Sequence, residues 1–331
     1  MEATGKVAVE EHFVCPEHEE YVSRAWMSPE MHRRMISRLS EVGEQRLEQM
    51  DRAGIEVAVL SLVTEGVQAE TDPAKAAAKA ARANDVLAEI VEREPRRFRG
   101  FAALALHEVD VAVKELERAV RDLGFVGVCV NGYTSTAEGA GAYYDHPRFA
   151  DLWRCVEELR VPLYLHPRYP LPSQRGIYAG REELLGSTWG FGVETATHAL
   201  RLITSGLFDR FPGATVILGH LGETLPFALH RMQGRMKALR GSALAKPVAR
   251  YLQEHFYVST SGNFHTPSLL GALLELGADR VLFAVDYPFE EMEEASAWFD
   301  AVPISPADRD KIGSTNARGL LRLDHEAGVV R

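Results

Sequence analysis

The stretch Lys6-Val7-Ala8-Val9-Glu10-Glu11-His12 passes from apolar to chemically reactive over one short run. Its first half has the composition of a buried strand, and its end carries two carboxylates and an imidazole. In an all-parallel sheet the strands are covered on both faces and read as continuous apolar runs. Seven further runs of that kind follow, at Val57–Leu62, Phe98–Leu106, Phe125–Val130, Val161–Leu165, Ala214–Gly219, Phe256–Ser261 and Arg280–Val285.

Between the runs lie stretches with apolar residues three or four apart, the helical spacing. They are Ala74–Glu94, Val111–Leu123, Pro147–Leu159, Thr195–Leu207, Pro267–Leu276 and Glu291–Phe299. Gly54, Gly124 and Gly277 stand where a helix would end before the next strand, a position that favours a left-handed cap. Eight such units average about 41 residues each, which predicts a single (β/α)8 barrel over residues 1–331. A doubly wound open sheet is the competing architecture, but no glycine-rich phosphate loop follows any strand. Two connections exceed plain linkers. Residues 13–41 follow the first strand and 167–191 the fifth, and loops of that length are expected to act as a lid or an assembly surface.

Hydrophobic residues make up 46% of the chain and charged residues 25%, values of a globular protein rather than a disordered or fibrous one. The formal net charge of −10 argues against nucleic acid or an anionic membrane as the main partner. No apolar run is long enough to span a bilayer, and the first residues show no charged-then-apolar leader. Cys15, Cys129 and Cys155 form neither a CxxC pair nor an even disulfide set. The expectation is a cytoplasmic protein.

A parallel barrel places its site at the C-terminal ends of its strands. Strand one ends in Glu10-Glu11-His12, strand four in Val130-Asn131-Gly132, and strand five in Leu165-His166-Pro167-Arg168. Strand six ends in Gly219-His220-Leu221-Gly222-Glu223, strand seven in Ser259-Thr260-Ser261-Gly262-Asn263, and strand eight in Val285-Asp286-Tyr287-Pro288-Phe289. Residues two apart on a strand share a face, so Glu10 and His12 can enter the mouth together while Glu11 points outward. With His166 and Asp286 they form an oxygen- and imidazole-rich set without thiolate, suited to Zn²⁺ or Mn²⁺ with open positions left for water or substrate. Each element has a bland alternative: Glu10 and His12 as solvated surface, His166 as a satisfied buried histidine, Asp286 as a turn residue. Their coincidence on one barrel face favours the metal. His220 and Glu223 are three apart, so a helical turn starting there would bring them together. The carboxylate would then set the tautomer of the imidazole. A capping histidine beside a helix-start glutamate is the alternative. No Gly-x-Ser-x-Gly nucleophile elbow occurs.

Several ordered motifs, among them Gly5-Lys6-Val7-Ala8-Val9-Glu10-Glu11-His12-Phe13, Tyr164-Leu165-His166-Pro167-Arg168, Ile217-Leu218-Gly219-His220-Leu221-Gly222-Glu223 and Asp286-Tyr287-Pro288-Phe289-Glu290, resemble the γ-resorcylate (2,6-dihydroxybenzoate) decarboxylases of the amidohydrolase superfamily. The likeness spans about Gly5 to Asp324. It implies a non-oxidative aromatic decarboxylase holding one divalent metal ion, Zn²⁺ or Mn²⁺, on Glu10, His12, His166 and Asp286. It also implies proton movement through His220 and Glu223, and a homo-oligomer, dimer or tetramer, with the long loops near its interface. Ala284, Val285 and Tyr287 depart from the usual pattern of those relatives.

The resulting expectation is a decarboxylase of a small aromatic carboxylic acid, a hydroxybenzoate, that protonates the ring carbon and then loses carbon dioxide. Asp286 is the expected proton donor, and His220, held by Glu223, polarises a substrate oxygen. Trp26 and Phe289 wall the ring, Asn131 binds the substrate from a neighbouring strand end, and Arg231 pairs with a substrate oxygen. Two other readings stay open: a metal-dependent hydrolase of a lactone, amide or ester, and a catalytically silent barrel that binds an aromatic acid.

Overall fold

A computed structural model of the chain describes residues 5–22, 27–136, 139–238 and 244–323. Eight parallel strands follow one another in sequence order around a sheet. They are β1 (Lys6–Phe13), β2 (Ile55–Leu62), β3 (Phe98–Ala103), β4 (Gly127–Asn131), β5 (Leu163–His166), β6 (Val216–Leu218), β7 (Phe256–Ser259) and β8 (Val281–Leu282). The segment after β8 closes the sheet onto β1. The Val9 amide donates to the Phe283 carbonyl, the Asp286 amide to Glu10, and the His12 amide to Tyr287. The expected (β/α)8 barrel is therefore the architecture.

The principal helices are α1 (Pro29–Ser40), α2 (Glu44–Ala53), α3 (Pro73–Arg93), α4 (Val109–Arg121), α5 (Ala150–Leu159), α6 (Gly190–Thr204), α7 (Leu225–Ala238), α8 (Val248–His255), α9 (Thr266–Leu276), α10 (Met292–Ala301) and α11 (Asn316–Leu321). Asp72 starts α3 by accepting from the Lys75 amide, with Pro73 at the first helical position, where its missing N–H is not needed. Gly54 ends α2 in the left-handed conformation, as its place in the sequence predicts, whereas Gly277 has a positive φ but an extended ψ. The two long connections are less bare than their sequences suggest. Residues 13–41 hold a 3-10 turn (Pro16–Tyr21) and all of α1, and 167–191 hold two 3-10 turns before α6.

Alternate residues of the strands divide between two apolar layers. Ala8, Ala58, Leu60, Val128, Leu163, Val216 and Val258 pack outward against the helices. Val7, Val9, Val57, Val59, Phe101, Cys129, Tyr164 and Ile217 fill the barrel, with Ala317 and Leu321 of α11 in the same cluster. Strict alternation would continue the inward row of β1 from Val7 and Val9 to Glu11. It does not, because β1 contains a bulge. Ala8 pairs with Ala58, but Glu11 pairs with Leu60, so one extra residue sits between them on β1. The bulge moves the inward row onto Glu10 and His12, and His12 now stands beside Ser61. A single inserted residue thus sends the reactive side chains of β1 into the mouth.

Candidate metal centre and proton-handling pair

Glu10, His12, His166 and Asp286 each offer a ligand atom, and these atoms all lie within 4.8 Å of one another. Every donor is prepared from below. Tyr164, two residues before His166 on β5, donates its hydroxyl to Glu10 Oε2, and the Ser259 hydroxyl also approaches that oxygen at 3.1 Å. Glu10 Oε1 is buried with no hydrogen-bond partner and points toward His166 Nε2 at 3.3 Å. His166 Nδ1 lies 2.9 Å from the Pro167 carbonyl and can only donate to it, which leaves the Nε2 lone pair free. His12 Nδ1 meets Ser61 Oγ at 3.1 Å, while Nε2 lies 3.1 Å from Asp286 Oδ1.

The electrostatics match this arrangement. Burial holds the His166 pKa well below its ordinary value and keeps the imidazole neutral, as a metal ligand must be. Burial also raises the Glu10 pKa, against the pull of His220 and His12. A buried carboxylate oxygen without a partner beside imidazole nitrogens fits a divalent cation, which these four groups could hold.

Asp286 takes an unusual backbone conformation, with φ at +81°. Glu11 imposes it: Oε1 accepts from the Val285 amide at 2.9 Å and Oε2 from the Tyr287 amide at 3.2 Å. Glu11 points away from the barrel interior, as expected, but it is fully buried rather than solvated. Its function is to grip the loop that presents Asp286, and burial raises its pKa well above the ordinary range.

His220 Nδ1 and Glu223 Oε1 are 2.6 Å apart, and His220 Nε2 lies 3.5 Å from Asp286 Oδ2. The pair expected from the sequence therefore meets, but not through a right-handed helical turn. His220, Leu221, Gly222, Glu223 and Thr224 all have positive φ, between +53° and +83°, a left-handed turn. The Ser261 hydroxyl accepts from the His220 amide at 3.1 Å and the Gly219 carbonyl from the Gly222 amide at 2.8 Å. A Cβ on Gly222 would come 2.9 Å from Val258 Cγ1, so only glycine fits there. Burial alone would lower the His220 pKa, but Glu223 and Asp286 outweigh it and hold it well above the ordinary value. Burial pushes Asp286 upward, and the hydrogen bonds of His12 and His220 overcome that and lower it.

Of the other expected contacts, Phe289 packs its ring edge-on to His12 at 5.8 Å and rims the cluster. Asn131 is buried at the end of β4, with Oδ1 lacking a partner. Arg231 is exposed on α7 and has no ion pair among the described residues, so the structure does not bring it to the cluster. Trp26 lies outside the described residues. Arg168 is buried and committed to the Gln68 and Tyr133 carbonyls and to Glu65. Among residues the sequence reading did not single out, Tyr164 and Ser259 could have been found by the two-residue strand period. Glu11 could not, because nothing local marks an outward carboxylate as a backbone clamp.

A closed parallel barrel with a buried His/Glu/Asp cluster at its C-terminal mouth defines a metal-binding barrel of the amidohydrolase kind, and residues 31–323 match the amidohydrolase family. The γ-resorcylate decarboxylase of Rhizobium radiobacter is 48% identical over 324 residues, spanning 97% of this chain and 99% of that protein. The enzyme of the same name from Rhodococcus jostii (strain RHA1) is 48% identical over 328 residues, with the same coverage. Among solved structures, a 2,6-dihydroxybenzoate decarboxylase complexed with 2,6-dihydroxybenzoate superposes with a TM-score of 0.93 at 47% identity, covering 96% of this chain and 99% of that one. A dihydroxybenzoic acid decarboxylase from Polaromonas sp. JS666, with bound manganese and the inhibitor 2-nitroresorcinol, gives 0.95 at 44% identity and covers 99% of this chain and 100% of that one. The chain belongs to the amidohydrolase family and, within it, to the γ-resorcylate decarboxylases.

Proposed function

We propose that the protein is a metal-dependent carboxy-lyase that decarboxylates a hydroxybenzoate, with 2,6-dihydroxybenzoate the first substrate to test. The observation that carries this reading is one junction: Asp286 faces the metal cluster through Oδ1 and the His220–Glu223 pair through Oδ2. Glu10, His12, His166 and Asp286 would hold one divalent ion, with Mn²⁺ favoured by the relatives of known structure. Bound there, the ion would supply a Lewis acid to polarise oxygens of the acid.

The remaining chemistry belongs to the side chains. Loss of carbon dioxide from an arenecarboxylate requires a proton on the ring carbon, and the electron pair of the breaking carbon–carbon bond then restores the aromatic ring. Asp286 is the proposed donor. A carboxyl whose pKa is held low is a strong acid once it is protonated, as a weakly basic ring carbon requires. His220 carries the proton that loads it, and Glu223 keeps His220 cationic and correctly turned. Phe289 would flank the ring, and Asn131 Oδ1 would accept from a ring hydroxyl.

The three buried free cysteines support a reducing, cytoplasmic setting, and among the described residues no helix is long and apolar enough to cross a membrane. Ile177 is 82% exposed and Trp189 54% exposed within 167–191, which supports this loop as an assembly surface of a homodimer or homotetramer. The test is a panel of hydroxybenzoates incubated with Mn²⁺-loaded protein, following ultraviolet loss and carbon dioxide together. Release from at least one member is expected, and binding without release from any would refute the reading.

A further inference from the structure

Behind the His220–Glu223 pair lies a second buried carboxyl, Glu194, on the first turns of α6. Both of its oxygens are buried, with the Tyr143 hydroxyl the one hydrogen-bonding side chain set against them among the described residues, and Nε of Arg168 is buried without a partner. The two side chains flank Gly132, where a Cβ would stand 2.4 Å from Arg168 Cγ and 3.4 Å from Glu194 Oε2. Gly192, on the same turn of α6, faces Glu223, and a Cβ there would lie 3.1 Å from Glu223 Oε2. One helix start therefore touches the back of Glu223 and carries Glu194.

A carboxyl kept for structure is hydrogen-bonded, because an unpaired buried polar group costs about 1–3 kcal/mol. Glu194 has only the Tyr143 hydroxyl set against it, and it is not needed to neutralise Arg168, which already pairs with Glu65 at 3.0 Å. The groups that face it are Arg168 from the segment after β5, Glu223 from the left-handed turn, and Tyr133, Tyr143 and Tyr144 from the β4–α5 connection. His198 lies one turn further along α6 itself, tied through Nε2 to the Tyr144 amide. Tyr143 is half-buried, and its hydroxyl meets both Glu194 and the exposed side chain of Gln174. Burial raises the Glu194 pKa to about 7, the Glu223 charge adds to that, and Tyr143 and Arg168 oppose it.

Decarboxylation consumes protons: each arenecarboxylate takes up one proton as its carbon–carbon bond breaks, giving the arene and carbon dioxide. A His220 that has given up its proton must be reloaded from solvent while Phe289 and the bound acid occupy the mouth. Building on the decarboxylase reading above, we propose that Glu194 is the proton reservoir of the site, passing a proton forward through Glu223 to His220 and recovering one from solvent through Tyr143. Glu194 touches no substrate. It is a positioning residue for the proton and acts through Glu223.

The test compares the full-length, Mn²⁺-loaded protein with its Glu194→Gln variant. Infrared difference titration should show a protonated carboxyl that ionises near neutral pH in the wild type and is missing from the variant. The wild-type kcat should fall as pH rises through neutrality. In the variant kcat should drop by about tenfold or more and lose that inflection, with KM and metal content unchanged. Tyr143→Phe should lower kcat in the same direction by less, and it provides the kinetic test if the Gln variant does not fold. No carboxyl titrating near neutrality, or unchanged kcat and pH profile in both variants, overturns the proposal. Failure of the wild type to release carbon dioxide from any hydroxybenzoate would instead remove the decarboxylase reading, and the relay with it.

Discussion

The two halves of the site are within about one hydrogen bond of each other, yet they are built by opposite rules. Glu10, His12 and His166 ride on extended strands, where backbone hydrogen bonds to neighbouring strands fix their direction. His220 and Glu223 ride on five successive residues of left-handed backbone, four of them not glycine. That conformation costs about 1–2 kcal/mol for each non-glycine residue, so the turn holds strain that the surrounding barrel must offset. Glu10, His12 and His166 can therefore be rigid at little conformational cost, and in the metal half only Asp286, at φ +81° and held by Glu11, departs from that rule. The proton-handling half is held in a sparsely populated geometry, the kind of strain that clusters where function demands it.

The sharpest way to break this contrast is to remove one member from each half. His166→Ala should abolish stoichiometric metal binding and carbon dioxide release together, measured by elemental analysis and the decarboxylation assay. Full metal loading in this variant would sink the ligand assignment. His220→Asn should leave metal content intact while kcat falls by about 10²–10⁴, and equal losses of metal and activity would show that the halves are not separable.

Glu194 offers a test by pH. Its carboxyl ionises near 4.5 when unfolded and near 7 when buried, so the folded protein loses stability as pH rises between those values and no further above them. The gap corresponds to about 3 kcal/mol. Glu194→Gln should thus be the more stable protein at pH 8 but gain nothing at pH 4, by chemical denaturation at each pH. A constant difference at both values would contradict the buried neutral carboxyl.

Smaller effects sharpen the comparison. Tyr164→Phe removes the hydroxyl beneath Glu10 without touching a ligand, and metal affinity in a chelator competition should weaken by about 10–100-fold. Gly222→Ala adds a Cβ against Val258 on a residue with φ near +83°, and should lower stability by about 1–3 kcal/mol with metal content unchanged. A thermal shift indistinguishable from wild type would mean that the turn is not strained.

Much of this organisation is legible in the chain. The eight apolar runs mark all eight strands, because strands buried on both faces must be apolar throughout. The polar residues that end those runs mark the mouth, because backbone direction sends every strand end to one face. The ends of the strands were less legible: β8 covers Val281–Leu282, short of the apolar run to Val285, and Asp286 beyond it turns to φ +81°.

By itself, then, the sequence determined the barrel, the face that carries chemistry and the donor types available for a metal. The two-residue period already put Glu10 and His12 on one face and Glu11 on the other; only the tertiary structure showed the bulge against β2 that turns that face inward after Val7 and Val9. It likewise decided that His220 reaches Glu223 through a left-handed turn, and that Glu194 comes to stand behind them. Hydrophobic periodicity records which residues leave water. Bulges, left-handed turns and buried unpaired carboxyls arise from contacts between strands and helices far apart in sequence, and no local pattern encodes them.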